Sequence, residues 1–352
     1  MNGLFFCSKI GGMKYYIITY GCQMNKSDSE RIATVLESRG YEPTSKINEA
    51  DLIVVNMCSV RQSAVDRVYG LIPKFKKIKT LPAGRQVKTI LTGCIVKEDK
   101  RKFAEGFDQI LRFKDLLKYQ PKYQDKSVAF IPISNGCNMA CTYCVVPFVR
   151  GPLVCRSHLD VLKEVKNVVQ KGFREIWLLG QNVNDYQSPT DTSINFAKLL
   201  KMVNDISGNF KFFFISPHPT NFSDGLIDTL AKCEKFGGYV NLPVQSGDDK
   251  ILKKMNRNYT IKEYKNLVKK IRKKIPEIRL STDVIVGFPG ETEKQFQNTV
   301  KLFKEIKFNW AYIAKYSPRP GTAAALKMED NVPMEEKKRR EKCLREIINT
   351  RC

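Results

Sequence analysis

The chain has 352 residues, 42% of them apolar and 10% aromatic, enough to bury real cores, which argues against a disordered protein. No apolar stretch approaches the length of a membrane span, and the opening MNGLFFCSKIGGMKYY lacks the basic start and cleavage site of a signal peptide. The 60 Lys and Arg against 36 Asp and Glu leave a net charge of +24, which suits a polyanionic partner such as nucleic acid, or equally a solvated Lys-rich surface.

Taken in chain order, the first third alternates strand and helix signals. KYYIITYG is an apolar run ending in Gly21. SDSERIATVLESRG reads as a helix capped by Ser27 and stopped by Gly40. ADLIVVNMC is a second strand, SVRQSAVDRVYGLIPKFKKI a second helix and TILTGC a third strand. Such alternation indicates a parallel sheet covered on both faces. Met13, just before the first strand, is an equally good start for the protein. TLPAGRQVKT (80–89) reads as a loop insertion with no functional account, and the polar KYQPKYQDK as a linker. The expected domains are therefore 13–122 and 123–352.

After the linker come six further strand candidates: VAFIPIS, REIWLLG, KFFFIS, YVNLPV, RLSTDVIVGF and WAYIAKYS, each separated from the next by a helical pattern. The expected fold class is α/β, an open parallel α/β sheet domain followed by a partial (β/α)6-type barrel, whose chemistry belongs at the carboxyl ends of the strands. A last helix, MEEKKRREKCLREIINTRC, runs to the end of the chain.

The 11 cysteines, without a secretion signal, point to metal rather than to a disulfide scaffold. Cys22, Cys58 and Cys94 each follow a strand of the first sheet, at separations 58−22 and 94−58 that both equal 36 without any residue-level repeat. Strand-end loops gather on one edge of a parallel sheet, so these three are expected to converge. Three separately buried core cysteines are the plainer alternative. Cys137, Cys141 and Cys144 form C-x3-C-x2-C after the first barrel strand. Structural zinc wants four ligands, usually as two close pairs, and neither Cys155 nor His158 stands in register to complete such a site. His158 is expected at a surface or helix start. Thiolates suit an iron–sulfur cube, and three of them leave one iron open. An open iron can chelate S-adenosylmethionine, whose reductive cleavage yields a radical able to take hydrogen from an unactivated carbon.

The stretches YGCQMNKSDSE, NMCSVRQSA, GCNMACTYCVVPFVRG, LLGQNVNDY, LPVQSGDDKILKKMNRNYT, DVIVGFPGETE and YSPRPGT resemble the methylthiotransferases, radical S-adenosylmethionine enzymes with two 4Fe–4S clusters. The resemblance runs from residue 14 to about 350 and is nearest to the tRNA 2-methylthio-isopentenyladenosine synthases. It implies that the barrel is a radical S-adenosylmethionine core. Cys137, Cys141 and Cys144 would hold the radical-generating cluster. Cys22, Cys58 and Cys94 would hold an auxiliary cluster carrying the sulfur to be inserted. One S-adenosylmethionine would methylate that sulfur, and a second would supply the radical that activates C2 of an isopentenylated adenine beside the anticodon. Implied partners are tRNA through its anticodon loop, an electron-donor protein and a sulfur donor, for a cytoplasmic monomer with no membrane contact.

Around the cofactor, Gly180, Gln181, Ser216, His218, Gln245, Ser246 and Asp283 occupy strand-end rims, where polar residues serve as ligand contacts or as helix caps. Arg150, Arg257 and Arg319 are candidates for phosphate or base contacts, with surface ion pairs the alternative. The chain departs from the family in NMC for NTC, in RSHL where Arg-Pro is common, and in ending near Cys352 without the usual C-terminal RNA-binding β-barrel. Cys7, Cys155, Cys233, Cys343 and Cys352 match no cluster motif and read as structural or free thiols. Two other functions fit the residues. One is the same transfer onto another modified adenosine or a ribosomal protein. The other is a basic RNA-binding protein stabilised by metal.

Overall fold

The structure is a computed structural model that describes residues 12–79, 86–113, 115–125 and 127–350. Cys7, Cys352 and most of the 80–89 loop lie outside the described residues. The chain forms two compact units, and the division between them falls at Ser127. No helix among the described residues is long and apolar enough to cross a membrane.

The first unit is built on strands β1 (Lys14–Tyr20), β2 (Glu42–Pro43), β3 (Leu52–Cys58), β4 (Lys88–Cys94) and β5 (Gln109–Ile110), with helices α1 (Gln23–Glu37), α2 (Gln62–Tyr69), α3 (Ile72–Lys79) and α4 (Lys97–Phe103). All neighbours are parallel, in the order β2-β1-β3-β4-β5. Central β3 is buried at every position because both faces are covered. Ile53, Val55 and Met57 pack with Val65, Val68, Phe75 and Phe103 of the helices on one face. Leu52 and Val54 pack with Ile32 and Leu36 of α1 on the other. Each such fully buried aliphatic side chain contributes about 1.5–3 kcal/mol.

Two sequence expectations are corrected here. The first helix begins at Gln23, not after Ser27. Its cap is Cys22, whose carbonyl accepts the Lys26 N–H over 3.1 Å and whose own N–H donates to Asn25 Oδ1 over 3.4 Å. Ser27 lies inside the helix and accepts from Arg31 Nη1 over 2.8 Å. The run expected as one helix over 59–78 is two, parted at Gly70 and Leu71, with Pro73 in the first turn of the second, where it sacrifices no helical bond.

The second unit runs β6 (Val128–Pro132), β7 (Ser134–Asn135), α5 (Val146–Arg150), β8 (Val154–Cys155), α6 (His158–Gln170), β9 (Glu175–Leu179), α7 (Phe196–Asn204), β10 (Lys211–Phe214), α8 (Asp224–Lys232), β11 (Tyr239–Asn241), α9 (Asp249–Lys254), α10 (Ile261–Lys274), β12 (Arg279–Val286), α11 (Glu293–Ile306), β13 (Trp310–Lys315), α12 (Ala323–Lys327) and α13 (Met334–Asn349). Strands β6, β9 and β10 form one parallel sheet and β11, β12 and β13 another. Between β10 and β11 the ladder continues through Phe212 N–H to Lys235 O (2.8 Å) and Gly237 N–H to Phe212 O (2.9 Å). Six parallel strands thus follow one another in chain order with helices between them, the expected partial (β/α)6 arrangement.

The helices present apolar stripes at helical spacing, as in α7 with Phe196, Leu199, Leu200 and Val203 buried. Two buried ion pairs fasten the outer layer: Arg156 to Glu164 at 2.8 Å and Arg340 of α13 to Glu291 at 2.8 Å. Burial pushes the Glu291 carboxyl above its ordinary pKa even with Arg340 beside it. The β7–β8 ribbon was not expected from the sequence. It is antiparallel, pairing Ser134 with Cys155 and Asn135 with Val154.

Candidate metal centres and the rim around them

In the first unit the register of the sheet decides where the cysteines lie. Tyr20 pairs with Met57, and Cys58 with Cys94, so Cys22, Cys58 and Cys94 all sit at the carboxyl ends of three adjacent strands. Ser59 N–H donates to Cys94 O over 2.7 Å, and Val96 N–H to Ser59 Oγ over 3.3 Å, which knits the two outgoing loops together. Cys58 and Cys94 are buried and Cys22 is half-buried.

Two asparagines back this edge. Asn25 is fully buried and donates to Asn56 Oδ1 (2.9 Å) and to Met57 O (3.1 Å), while its Oδ1 accepts from the Cys22 N–H and from Cys22 Sγ–H, each at 3.4 Å. Asn56 in turn donates to Asn25 O and Ser29 Oγ. Gly93, at φ +108°, lets β4 approach this network: a Cβ there would stand 2.2 Å from Met57 O and 2.5 Å from Asn56 Oδ1. The sequence reading overlooked Asn25 and Asn56. Their signal was the asparagine of GCQMN and the one polar residue inside an otherwise apolar strand.

In the second unit the C-x3-C-x2-C loop leaves β7 at Gly136. This glycine has φ +85°, and a Cβ on it would meet Pro152 O at 2.0 Å. Cys137 N–H donates to Gly151 O (3.2 Å) and Cys144 N–H to Cys141 O (3.1 Å), giving the loop its turn. Backbone N–H groups also point at sulfur: Met139 N to Cys137 Sγ at 3.4 Å and Val146 N to Cys144 Sγ at 3.5 Å. Arg257 Nη1 donates to Cys141 Sγ at 3.6 Å. Burial raises the Cys137 thiol above its ordinary pKa and pushes the Cys144 thiol up to about 12, with the neighbouring cysteines adding to both effects.

Among the described residues, no three Cys, His, Asp or Glu side chains stand close enough to hold one metal ion. A four-iron cube makes a different demand. It places each thiolate on its own iron, so its ligands stand further apart than those of a single ion. Three thiols on one loop, each already receiving a hydrogen bond at sulfur, fit that donor set, because such bonds stabilise thiolate charge.

The rim carries further signs of a ligand site. Asn182 is 1% exposed, and neither its Nδ2 nor its Oδ1 has a partner; the same holds for Ser134 Oγ and for His218 Nε2. Buried polar atoms normally find partners, so a group of orphans at strand ends invites a polar ligand. His218 Nδ1 accepts from Thr220 N–H over 3.3 Å, which puts the ring proton on Nε2. Burial first, then the Arg257 charge, lowers its pKa to about 3. It is therefore a neutral donor, and Asn182 is a rim residue that the sequence reading quoted within LLGQNVNDY without singling it out.

Ser216 (φ 58°) and Gln245 (φ 69°) hold left-handed backbone, uncommon for these residue types and found preferentially at ligand sites. Gly180 approaches Ser134 so closely that a Cβ would sit 2.5 Å from its Oγ. Gln181 Oε1 accepts from Gly136 N–H at 2.6 Å and so ties β9 to the cysteine loop. Ser246 is fully buried and accepts from Asp248 N–H, forming a turn before α9. Asp283 Oδ2 accepts from Asn241 Nδ2 at 2.7 Å.

The three arginines named from the sequence already have partners or lie deep. Arg257 and Arg319 are buried, each 7% exposed, and Arg150 Nη1 donates to Asn135 Oδ1 over 3.1 Å. His158 does start a helix but is buried, its Nδ1 2.9 Å from Ser188 Oγ, rather than lying at the surface. Cys155 and Cys343 are half-buried and Cys233 is buried.

Residues 131–303 match the Radical SAM superfamily and residues 14–112 match the Uncharacterized protein family UPF0004. Among solved structures, the radical S-adenosylmethionine methyltransferase TsrM from Kitasatospora setae has a TM-score of 0.63 at 14% identity, covering 89% of this chain and 75% of its own. The cobalamin-dependent S-adenosylmethionine radical enzyme OxsB has a TM-score of 0.59 at 11% identity, covering 96% of this chain and 56% of its own. At such identities the likeness is one of fold. Among curated relatives, the tRNA-2-methylthio-N(6)-dimethylallyladenosine synthase of Clostridium botulinum is 39% identical over 96% of this chain and 81% of its own length. The synthase of the same name from Acetivibrio thermocellus is 40% identical over 97% of this chain and 78% of its own. With both cysteine-bearing units matched and the likeness extending over most of each relative, the chain belongs to the family of tRNA-2-methylthio-N(6)-dimethylallyladenosine synthases.

Proposed function

We propose that the protein is a tRNA methylthiotransferase that places a methylthio group on C2 of N6-isopentenyladenosine beside the anticodon, using radical S-adenosylmethionine chemistry. The observation that carries this is the pair of three-cysteine sets, each at the carboxyl edge of a parallel sheet in its own unit, in a chain of this family. On this reading residues up to Lys126 hold an auxiliary 4Fe–4S cluster through Cys22, Cys58 and Cys94. Residues from Ser127 hold the radical-generating cluster through Cys137, Cys141 and Cys144 and take S-adenosylmethionine at its open iron. When bound, these groups supply one-electron reduction, radical abstraction of hydrogen from the adenine ring and a carrier for the inserted sulfur.

The chain's own residues hold and orient. The N–H groups of Met139 and Val146 brace two sulfurs, and the orphaned Asn182 carboxamide and the His218 Nε2–H offer hydrogen bonds to the cofactor. Gly180, Gln181, Ser216, Gln245, Ser246 and Asp283 shape the rim, Gln181 and Ser246 through the backbone they fix. The net charge of +24 draws in the polyanion, and a base in an anticodon loop leaves its stack at lower cost than one in a duplex. An external electron-donor protein, a sulfur donor, a monomeric state and a cytoplasmic location complete the reading.

The test is iron and acid-labile sulfide per chain after anaerobic reconstitution, in the parent and in a variant with Cys22, Cys58 and Cys94 all changed to Ala. About eight irons should fall to about four. Four in both would remove the auxiliary cluster and the sulfur-insertion reading with it. Nucleosides from tRNA incubated with the loaded enzyme should then contain methylthiolated isopentenyladenosine. Its absence with both clusters present would rule out this substrate.

A further inference from the structure

The motif LKKMNRNYT brings a charged side chain that donates to a sulfur of the C-x3-C-x2-C loop. Arg257 is buried, and its three nitrogens are each directed at a protein group: Nη1 at Cys141 Sγ (3.6 Å), Nη2 at Pro243 O (3.0 Å) and Nε at Tyr259 Oη (3.1 Å). Tyr259 Oη itself donates to Val244 O over 2.8 Å, and the guanidinium carbon lies 5.2 Å from the centre of its ring. Tyr259 thus clamps the fork from one side while the Pro243 carbonyl holds the other.

The segment carrying Arg257 is also stitched to the loop carrying Cys141. Thr142 N–H donates to Met255 O at 3.1 Å, Thr142 Oγ1 to Lys254 O at 2.8 Å and Asn256 Nδ2 to Ala140 O at 2.8 Å. Asn256 takes a left-handed φ of 56° at this turn. The separation of guanidinium and thiol is therefore set by three bonds between other atoms. The bonds on Cys137 and Cys144 come from neutral backbone groups, whereas Cys141 faces a full positive charge.

We propose that Arg257 is a positioning and tuning residue of the C-x3-C-x2-C cluster, whose fixed charge and N–H···S bond on Cys141 raise the potential at which that cluster accepts an electron. The inference rests on the reading that these cysteines hold an iron–sulfur cube. Reduction adds negative charge to a site already carrying thiolates, and both a nearby cation and a hydrogen bond to sulfur favour the more negative state. Burial strengthens both, because little water screens them. One electron enters the cluster from an external low-potential reductant, and no bond forms or breaks in the step.

The test uses the full chain with Cys22, Cys58 and Cys94 changed to Ala, so that one cluster gives the signal, without S-adenosylmethionine or RNA. The reduced cluster is followed by electron paramagnetic resonance across potentials set with dithionite, alongside iron per chain. In Arg257→Met the ratio of reduced to oxidised cluster at a fixed potential should fall at least tenfold, equivalent to 59 mV for one electron. Arg257→Lys, which keeps the charge but loses the fork, and Tyr259→Phe, which frees the fork, should each lower the ratio by about threefold. A normal iron content with an unchanged ratio in Arg257→Met overturns the proposal. If that variant takes up no iron, unchanged ratios in the other two overturn it. A parent that binds no iron overturns the cluster reading itself, so the two failures are distinct.

Discussion

Asn25→Ala tests how the auxiliary edge is held. The side chain is fully buried and joins α1 to β3 through Asn56 Oδ1 and to the strand end through the Cys22 N–H. Alanine leaves that carboxamide oxygen without one of its donors and the Cys22 N–H without its acceptor. A buried polar group stripped of its partner costs about 1–3 kcal/mol, so two of them, one only half-buried, should cost about 2–4 kcal/mol. At about 1.4 kcal/mol per decade, hydrogen-exchange protection of peptides covering α1 and β3 should fall by about 30- to 700-fold in metal-free protein. Peptides from α10 and α11 provide the internal reference. After reconstitution the same variant should carry less iron than the parent, because Cys22 loses its tether. Unchanged protection and full iron together would show that the asparagine is a bystander and that the strand ends position the cysteines unaided.

Other expectations concern the second unit. The His218 pKa is lowered in the folded chain, so the stability its neutrality contributes is present above the ordinary histidine pKa of 6.5 and is lost as pH falls toward 3. Between pH 7 and pH 5 this amounts to about 2 kcal/mol, and His218→Gln should flatten that part of the denaturation profile; an identical pH slope in both proteins would contradict it. Asn182→Leu removes a carboxamide without partners, so the ligand-free chain should melt no lower than the parent while S-adenosylmethionine binding, measured by equilibrium dialysis, weakens at least tenfold. Undiminished affinity would take Asn182 out of the site. Arg340→Met strands Glu291 as a buried carboxylate and should cost about 3–5 kcal/mol in urea denaturation; replacing both partners with apolar residues should recover most of it.

The strands were legible because buried parallel strands read as short apolar runs, and two of those runs ended at cysteines: Cys58 and Cys94 close β3 and β4 as the sequence suggested. The cysteine triads could be located for the same reason, since a strand end is a local feature. What could not be read was decided by partners distant in the chain. Ser27 looked like a cap by residue type, yet the cap went to Cys22 because Asn25 reaches back to its N–H. Arg257 looked like a phosphate fork because nothing in its neighbourhood of sequence announces that its guanidinium will be directed at Cys141 Sγ and Pro243 O. The tautomer of His218 depends on one backbone N–H in the turn that follows it, which no periodicity encodes.

The short β7–β8 ribbon has a consequence for how iron comes and goes. Pairing Ser134 with Cys155, and seating Gly136 against Pro152, closes the cysteine loop at its base through backbone contacts alone. The three thiols therefore behave as the arms of a preformed macrocycle. The entropy of bringing them together is lost when the domain folds rather than when iron binds. On the proposed reading of these thiols as cluster ligands, oxidative loss of the cluster would leave its donors gathered for a replacement.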